Sequence, residues 1–202
     1  FYDPRGMDIE AQGNWAERDP LIVFHGSLYK LASQPTLECI YSVMEADSNV
    51  DFVIMGKDNG HALTMISDLA CKRGLQSRLH YEGQFNPIRD ANGTICDPGW
   101  RKMLSYLKRA RLAPDPWPIG GSSARFEAYA MGVPCVSMGL RADRMSWGRP
   151  QHKVVEVVAL VTASGTANSV AEYAELCRRC LYDGEFADRL VEGTVSQIDQ
   201  ID

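Results

Sequence analysis

LIVFHGSLYKLASQPTLECIYSVMEADSNVDFVIMG, residues 21–56, is the stretch on which the fold turns. It opens with Leu21–His25, an apolar run too short for a helix and bounded by Gly26, and so reads as a buried strand. Pro35–Ala46 follows as a helix. Pro35 sits near its first turn, where a missing N–H costs nothing, and Leu37, Ile40, Tyr41 and Met44 recur on one face. Asp51–Met55 is a second short apolar run, and Gly56 ends it. Two buried strands joined by a helix run parallel.

The same alternation continues on the C-terminal side. His61–Arg73 is predicted helical through the stripe Leu63, Ile66, Leu69 and Ala70, with Gly74 as its stop. Arg78–Tyr81 reads as a third strand and Asn86–Cys96 as a polar surface loop. Asp97-Pro98 opens a helix running to about Arg109, with Met103, Leu104 and Leu107 facing inward. Arg111–Ala113 is a fourth strand, Ser122–Met131 a helix stopped by Gly132, and Pro134–Met138 a fifth strand. Val154–Thr162 is expected as a sixth, followed by helices over Ser169–Tyr182 and Glu185–Val195. The prediction is an α/β protein with a Rossmann-like, doubly wound, mostly parallel sheet. A single domain over 21–202 follows an irregular lead-in, 1–20, that holds Pro4, Gly6, Gly13 and Pro20.

Composition narrows the function classes. Apolar residues make up 45% and charged residues 23% of 202 residues, as in ordinary globular domains. A net charge of −5 argues against a general nucleic-acid binder. No apolar run is long enough to span a membrane. Six cysteines are too sparse for a disulfide scaffold, which points to reduced thiols and a cytoplasmic location. A start at Phe1, with no basic-then-apolar leader, reads as a piece of something longer.

Open parallel sheets bind ligands beyond the carboxyl ends of their strands, and two loops there stand out. The first is Gly26-Ser27-Leu28-Tyr29-Lys30, after the first strand. Glycine permits close approach and Lys30 supplies a point charge, although a plain turn with a solvated lysine fits as well. The second is Ile119-Gly120-Gly121-Ser122-Ser123-Ala124-Arg125-Phe126-Glu127, leading into a helix. Free backbone amides, two glycines, two hydroxyls and a positive helix end suit a phosphate, and Glu127 lies within reach of a ribose hydroxyl. Serine is also a preferred N-cap, so capping alone accounts for part of this pattern. The loop lacks the lysine of a nucleoside-triphosphatase phosphate loop.

Other features carry less. Between Lys72 and Arg111, nine basic residues face three acids. That balance suits an anionic ligand, an acidic partner or a solvated helix surface. Arg141, Arg144, Arg149 and Lys153 form a second basic cluster. Cys177 and Cys180 form a C-x-x-C within a helix with no second pair, which reads as packing. The four histidines show no metal pattern, Ser137 and Ser146 show no His/Asp support in the sequence, and the tryptophans read as packing residues.

The segments GSLYKL at 26–31, PIGGSSARFEAYAMGVPCVSM at 118–138, Arg144, and VAEYAELCRRCLYD at 170–183 resemble the C-terminal half of glycosyltransferase family 41. That family comprises the O-linked N-acetylglucosamine transferases and their bacterial relatives. The resemblance implies a GT-B enzyme, whose C-terminal Rossmann-like domain holds a UDP-sugar donor. It assigns Lys30, Ser122 and Ser123 to the diphosphate and Glu127 to the ribose, with Gly26, Ser27, Gly120 and Gly121 around them. Arg125, Met103 and Arg144 would be neighbours of the donor. It further implies an inverting reaction with no metal, cofactor or nucleic acid, and an acceptor protein or glycan bound by an N-terminal domain outside this chain.

This sequence departs from the family pattern at Ser122-Ser123-Ala124, Ser27 and Met103, and in the loop 86–96. A retaining family 4 transferase would place glutamate where Ile119 stands. A GT-B-like interaction module without donor binding is a further reading, and a nicotinamide oxidoreductase lacks its Gly-x-Gly-x-x-Gly after the first strand.

Overall fold

Strand β1, Leu21–His25, is buried along its whole length and sends alternate side chains into two cores. The computed structural model describes residues 14–85, 98–116, 123–138 and 165–199. After β1 come α1 (Leu28–Leu31), α2 (Gln34–Ala46), β2 (Asp51–Met55), α3 (Ala62–Lys72), β3 (Leu79–Tyr81) and α4 (Pro98–Arg109). The chain continues through β4 (Ala113–Pro114), α5 (Ser123–Ala130), β5 (Cys135–Met138), β6 (Thr166–Ala167), α6 (Val170–Tyr182) and α7 (Gly184–Asp199).

All strand pairs are parallel. β1 pairs β2 from Leu21↔Asp51 to His25↔Met55, and β2 pairs β3 through Phe52↔Leu79 and Ile54↔Tyr81. β4 pairs β5 at Ala113↔Cys135, and β5 pairs β6 at Ser137↔Thr166. The two three-stranded sheets join where Ile22 bridges Leu112. There the Val23 amide donates to the Leu112 carbonyl at 2.9 Å and the Arg111 amide to the Leu21 carbonyl at 3.1 Å. The spatial order is therefore β3-β2-β1-β4-β5-β6, a doubly wound sheet whose direction of winding reverses between β1 and β4.

Each face of the sheet has its own helices. Ile22, Phe24, Phe52 and Ile54 pack with Leu37, Ile40, Tyr41 and Met44 of α2, Ile66 and Ala70 of α3, and Tyr173, Cys177 and Leu181 of α6. Leu21, Val23, Val53 and Met55 pack with Trp100, Met103 and Leu107 of α4, Ala128 and Tyr129 of α5, and Val191 of α7. Two layers of helix around one sheet bury both faces, which is why the strands read as unbroken apolar runs.

Helix ends are closed by identifiable groups. Past the end of α2, the Arg78 guanidinium donates through Nη1 to the carbonyls of Met44 at 2.7 Å, Asp47 at 2.8 Å and Val50 at 3.0 Å. These include carbonyls that a helix terminus leaves without an internal partner. Gly132, at φ +67°, ends α5 and lets the Val133 amide reach back to the Ala128 carbonyl at 2.9 Å. Ser169 caps α6 by accepting from the Glu172 amide at 3.1 Å.

Three observed elements differ from expectation. The single turn α1 has no counterpart among the predicted elements, and the fourth strand starts two residues later than predicted and ends one later. The observed β6 is Thr166–Ala167, while the predicted strand Val154–Thr162 and loop 86–96 lie outside the described residues. The described end of the lead-in, 14–20, is fastened to the rest of the domain. Trp15 Nε1 donates to the Cys180 carbonyl at 3.0 Å, its ring carries the Arg111 guanidinium at 4.2 Å, and Arg18 donates to the Ala110 and Met131 carbonyls.

Candidate functional site

At the point of reversal the carboxyl ends of β1 and β4 diverge, and α5 starts beside them. A narrow cleft there is lined by His25, Pro114, Asp115, Pro116, Ala124 and Arg125. Crevices at this place in doubly wound sheets are where ligands bind.

The β1 side is shaped by close backbone approach. Gly26, at φ +142°, donates its amide to the Met55 carbonyl at 2.9 Å, and Gly56, at φ +144°, donates to the Gly83 carbonyl at 2.8 Å. A Cβ on Gly56 would lie 1.7 Å from the Gly26 carbonyl oxygen, so only glycine fits there. The Leu28 amide continues the ladder to the Lys57 carbonyl at 3.0 Å. Leu28 and Leu31 anchor α1 in the core, which leaves Tyr29 exposed and Lys30 half-buried.

The α5 side carries two buried polar contacts. His25 Nε2 lies 2.8 Å from Glu127 Oε2, with the two side chains 3% and 9% exposed. Behind the imidazole stands Phe85, ring centroids 6.1 Å apart, and behind Phe85 stands Trp100 at 5.8 Å. Two residues earlier on α5, Arg125 Nη1 lies 3.2 Å from Asp115 Oδ2, and the Ser137 hydroxyl donates to the same oxygen at 2.7 Å. The Tyr173 hydroxyl donates to the Asp115 carbonyl at 3.3 Å, while Arg125 Nε is buried with no hydrogen-bond partner among the described residues. These contacts fasten the first turns of α5 to the ends of β1, β4 and β5.

Of the expected site residues, Gly26 and Ser27 directly follow His25, which lines the cleft, Glu127 contacts His25, and Lys30 lies in α1. Ser123 is the first residue of α5. Gly120, Gly121, Ser122 and Arg144 lie outside the described residues. Of the residues expected beside a donor, Met103 has no exposed surface and belongs to the core beneath α4, while Arg125 lines the cleft with its guanidinium paired to Asp115. Ser137, which shows no acidic partner in the sequence, has one in Asp115. Its hydroxyl serves as a structural bridge.

Among the described residues, five cations of the basic stretch from Lys72 to Arg111 are engaged by other groups of the chain. Arg73 pairs with Glu38 and Glu45, Arg78 is spent on carbonyls, Lys102 pairs with Glu82, Arg109 with Asp19, and Arg111 lies on Trp15. Cys177 and Cys180 are buried and burial pushes their thiols well above the ordinary range, so they pack rather than react. No helix among the described residues is long and apolar enough to cross a membrane.

Comparison with family models and with curated proteins finds no match. Comparison with solved structures finds GT-B glycosyltransferases. An O-GlcNAc transferase mutant from Thermobaculum terrenum is 17% identical, with a TM-score of 0.63, over 100% of this chain and 36% of its own. The C-terminal domain of a glycosyl transferase group 1 family protein from Francisella tularensis is 12% identical, with a TM-score of 0.64, over 99% and 97%. HepE of Anabaena, solved with UDP and glucose, is 14% identical, with a TM-score of 0.59, over 93% and 46%. The chain thus spans about a third to a half of the larger neighbours and nearly the whole of the isolated domain. Its fold is that of their Rossmann-like GT-B domains.

Proposed function

We propose that this chain is the donor-binding half of an inverting glycosyltransferase that takes a UDP-sugar and passes a hexose or N-acetylhexosamine to a protein or glycan. The reading rests on one observation: the cleft where the strand order reverses lies between His25, next in the chain to the Gly26–Lys30 loop, and Ala124 and Arg125 at the start of α5, two residues before Glu127. In this reading the Lys30 ammonium and the amides opening α5 meet the diphosphate oxygens, and Glu127 accepts from the ribose. Gly26 and Ser27 let the nucleotide come close to the end of β1.

Charge that builds on the departing UDP is countered by a fixed cation and a helix end, with no metal in the scheme. The general base belongs to the acceptor-side domain, so this half alone binds nucleotide weakly and turns over nothing. The Anabaena neighbour's UDP and glucose are consistent with such a ligand.

Calorimetry or saturation-transfer NMR with UDP tests the proposal. The Lys30→Ala variant should bind UDP about 10- to 100-fold more weakly, as expected for one charge-assisted contact of roughly 1.5–3 kcal/mol. A folded chain that binds no UDP at millimolar concentration refutes it. That result would favour a second reading, an interaction module of GT-B shape. The internal partners of Arg125 and Glu127 are what support the second reading.

A further inference from the structure

His25 closes a strand that is otherwise Leu21, Ile22, Val23 and Phe24, and it is 3% exposed. A ring with two polar nitrogens in such a place needs a partner. It finds one 102 positions further along the chain, in Glu127 at 2.8 Å. Phe85 and Trp100 back the imidazole, so aromatic packing fixes where Nε2 points. Glu127 lies one turn into α5, two residues after Arg125, which lines the crevice as His25 does. A glutamate has three torsions to settle, and a carboxylate offers about four acceptor sites, of which the imidazole engages one. The hydrogen bond therefore orients the carboxylate without exhausting it.

We infer that His25 is a positioning residue that sets nucleotide specificity: by donating Nε2–H to Glu127 it aims the remaining carboxylate acceptors at the ribose hydroxyls, so that the crevice distinguishes ribonucleotides from their deoxy analogues. The inference rests on the reading of Glu127 as the ribose acceptor. It adds the residue that makes this acceptor selective.

The test compares UDP with 2′-deoxy-UDP and 3′-deoxy-UDP by calorimetry on the whole chain, taking the larger ratio of dissociation constants as the readout. The unmodified chain should prefer UDP by about tenfold or more, as the loss of a hydrogen bond to a charged group implies. In His25→Phe, which keeps a ring against Phe85 and removes the donor, the ratio should fall to between one and two. His25→Gln, whose amide nitrogen reaches about as far as Nε2, should restore most of it. Glu127→Gln should lose the ratio as well, and adding His25→Phe to it should change nothing further. If His25→Phe does not fold, His25→Asn replaces it, because its amide stops short of Glu127.

Retention of the full ratio in a folded His25→Phe variant would overturn the inference, leaving His25 a packing residue. Loss in His25→Phe without recovery in His25→Gln would overturn it too, since ring packing would then be the cause. UDP binding with no discrimination by the unmodified chain refutes the inference and spares the donor-binding proposal. Absence of UDP binding refutes both.

Discussion

Replacing Gly56 by alanine should be among the most damaging single-methyl changes in this chain. The new Cβ would stand 1.7 Å from the Gly26 carbonyl oxygen, where ordinary contact begins near 3.4 Å, so the Gly26 peptide must retreat by about half that distance. Gly26 cannot move freely, because its own amide, in the preceding peptide, is bonded to the Met55 carbonyl at 2.9 Å. The side chain also meets a backbone at φ +144°, which alone costs about 1–3 kcal/mol. Overpacking adds about 1–3 kcal/mol, for a total of about 2–6 kcal/mol. In a chain of this length that lowers Tm by roughly 4–24 °C.

Gly60→Ala is the control. Gly60 has φ +152°, and a methyl added there would meet nothing within 4 Å, so it carries the backbone cost without the collision. Urea unfolding of the two variants side by side isolates the contact, and Gly56→Ala should be the less stable by about 1–3 kcal/mol. Equal stabilities within about 0.5 kcal/mol would refute the argument that close approach of Gly26 and Gly56 shapes the rim of the crevice.

The buried Arg125–Asp115 pair makes a second prediction: Arg125→Met leaves Asp115 uncompensated and should cost about 3–5 kcal/mol in chemical denaturation, part of it regained when Asp115→Asn is added. Alkylation of the native chain followed by peptide mass spectrometry should label exposed Cys71 and spare Cys135, Cys177 and Cys180, whose thiols burial pushes up, until the chain unfolds. Lys102 pulls the Glu82 carboxyl below its ordinary value, so the pair's contribution is present above the ordinary glutamate pKa and fades as pH falls through and below it. The contribution is exposed and small, a few tenths of a kcal/mol, and Glu82→Gln should flatten the acid limb of Tm against pH by that amount.

What the sequence discloses is set by the range of each interaction. β1 and β2 match their predicted spans because a five-residue apolar run between turn residues is a local signal. α3 and α6 come within a residue at each end, since their stripes, Gly74 and Ser169 are also local. β6 escapes because Thr166–Ala167 has no apolar run and owes its strand geometry to pairing with Ser137 and Met138. α1 escapes for a similar reason, being one turn held by Leu28 and Leu31 in the core. The place of the crevice is partly legible, since His25 adjoins the Gly26–Lys30 loop and Ala124 and Arg125 belong to the stretch 119–127. Its internal wiring is not, because Asp115 follows β4 while Ser137 is in β5, and His25 finds its partner only after the chain has crossed the sheet. A histidine closing an apolar run is the signal that could prompt a search for that partner.

Among the described residues, the halves of the sheet are stitched together by Ile22 opposite Leu112 and two flanking amides, whereas β1 and β2 share five registered pairs. That thin seam runs directly beneath the crevice. A molecule gripping the His25 bank and the Asp115 bank at once would act as a suture across the least fastened line of the sheet, so that occupancy and cohesion of the two halves become a single quantity.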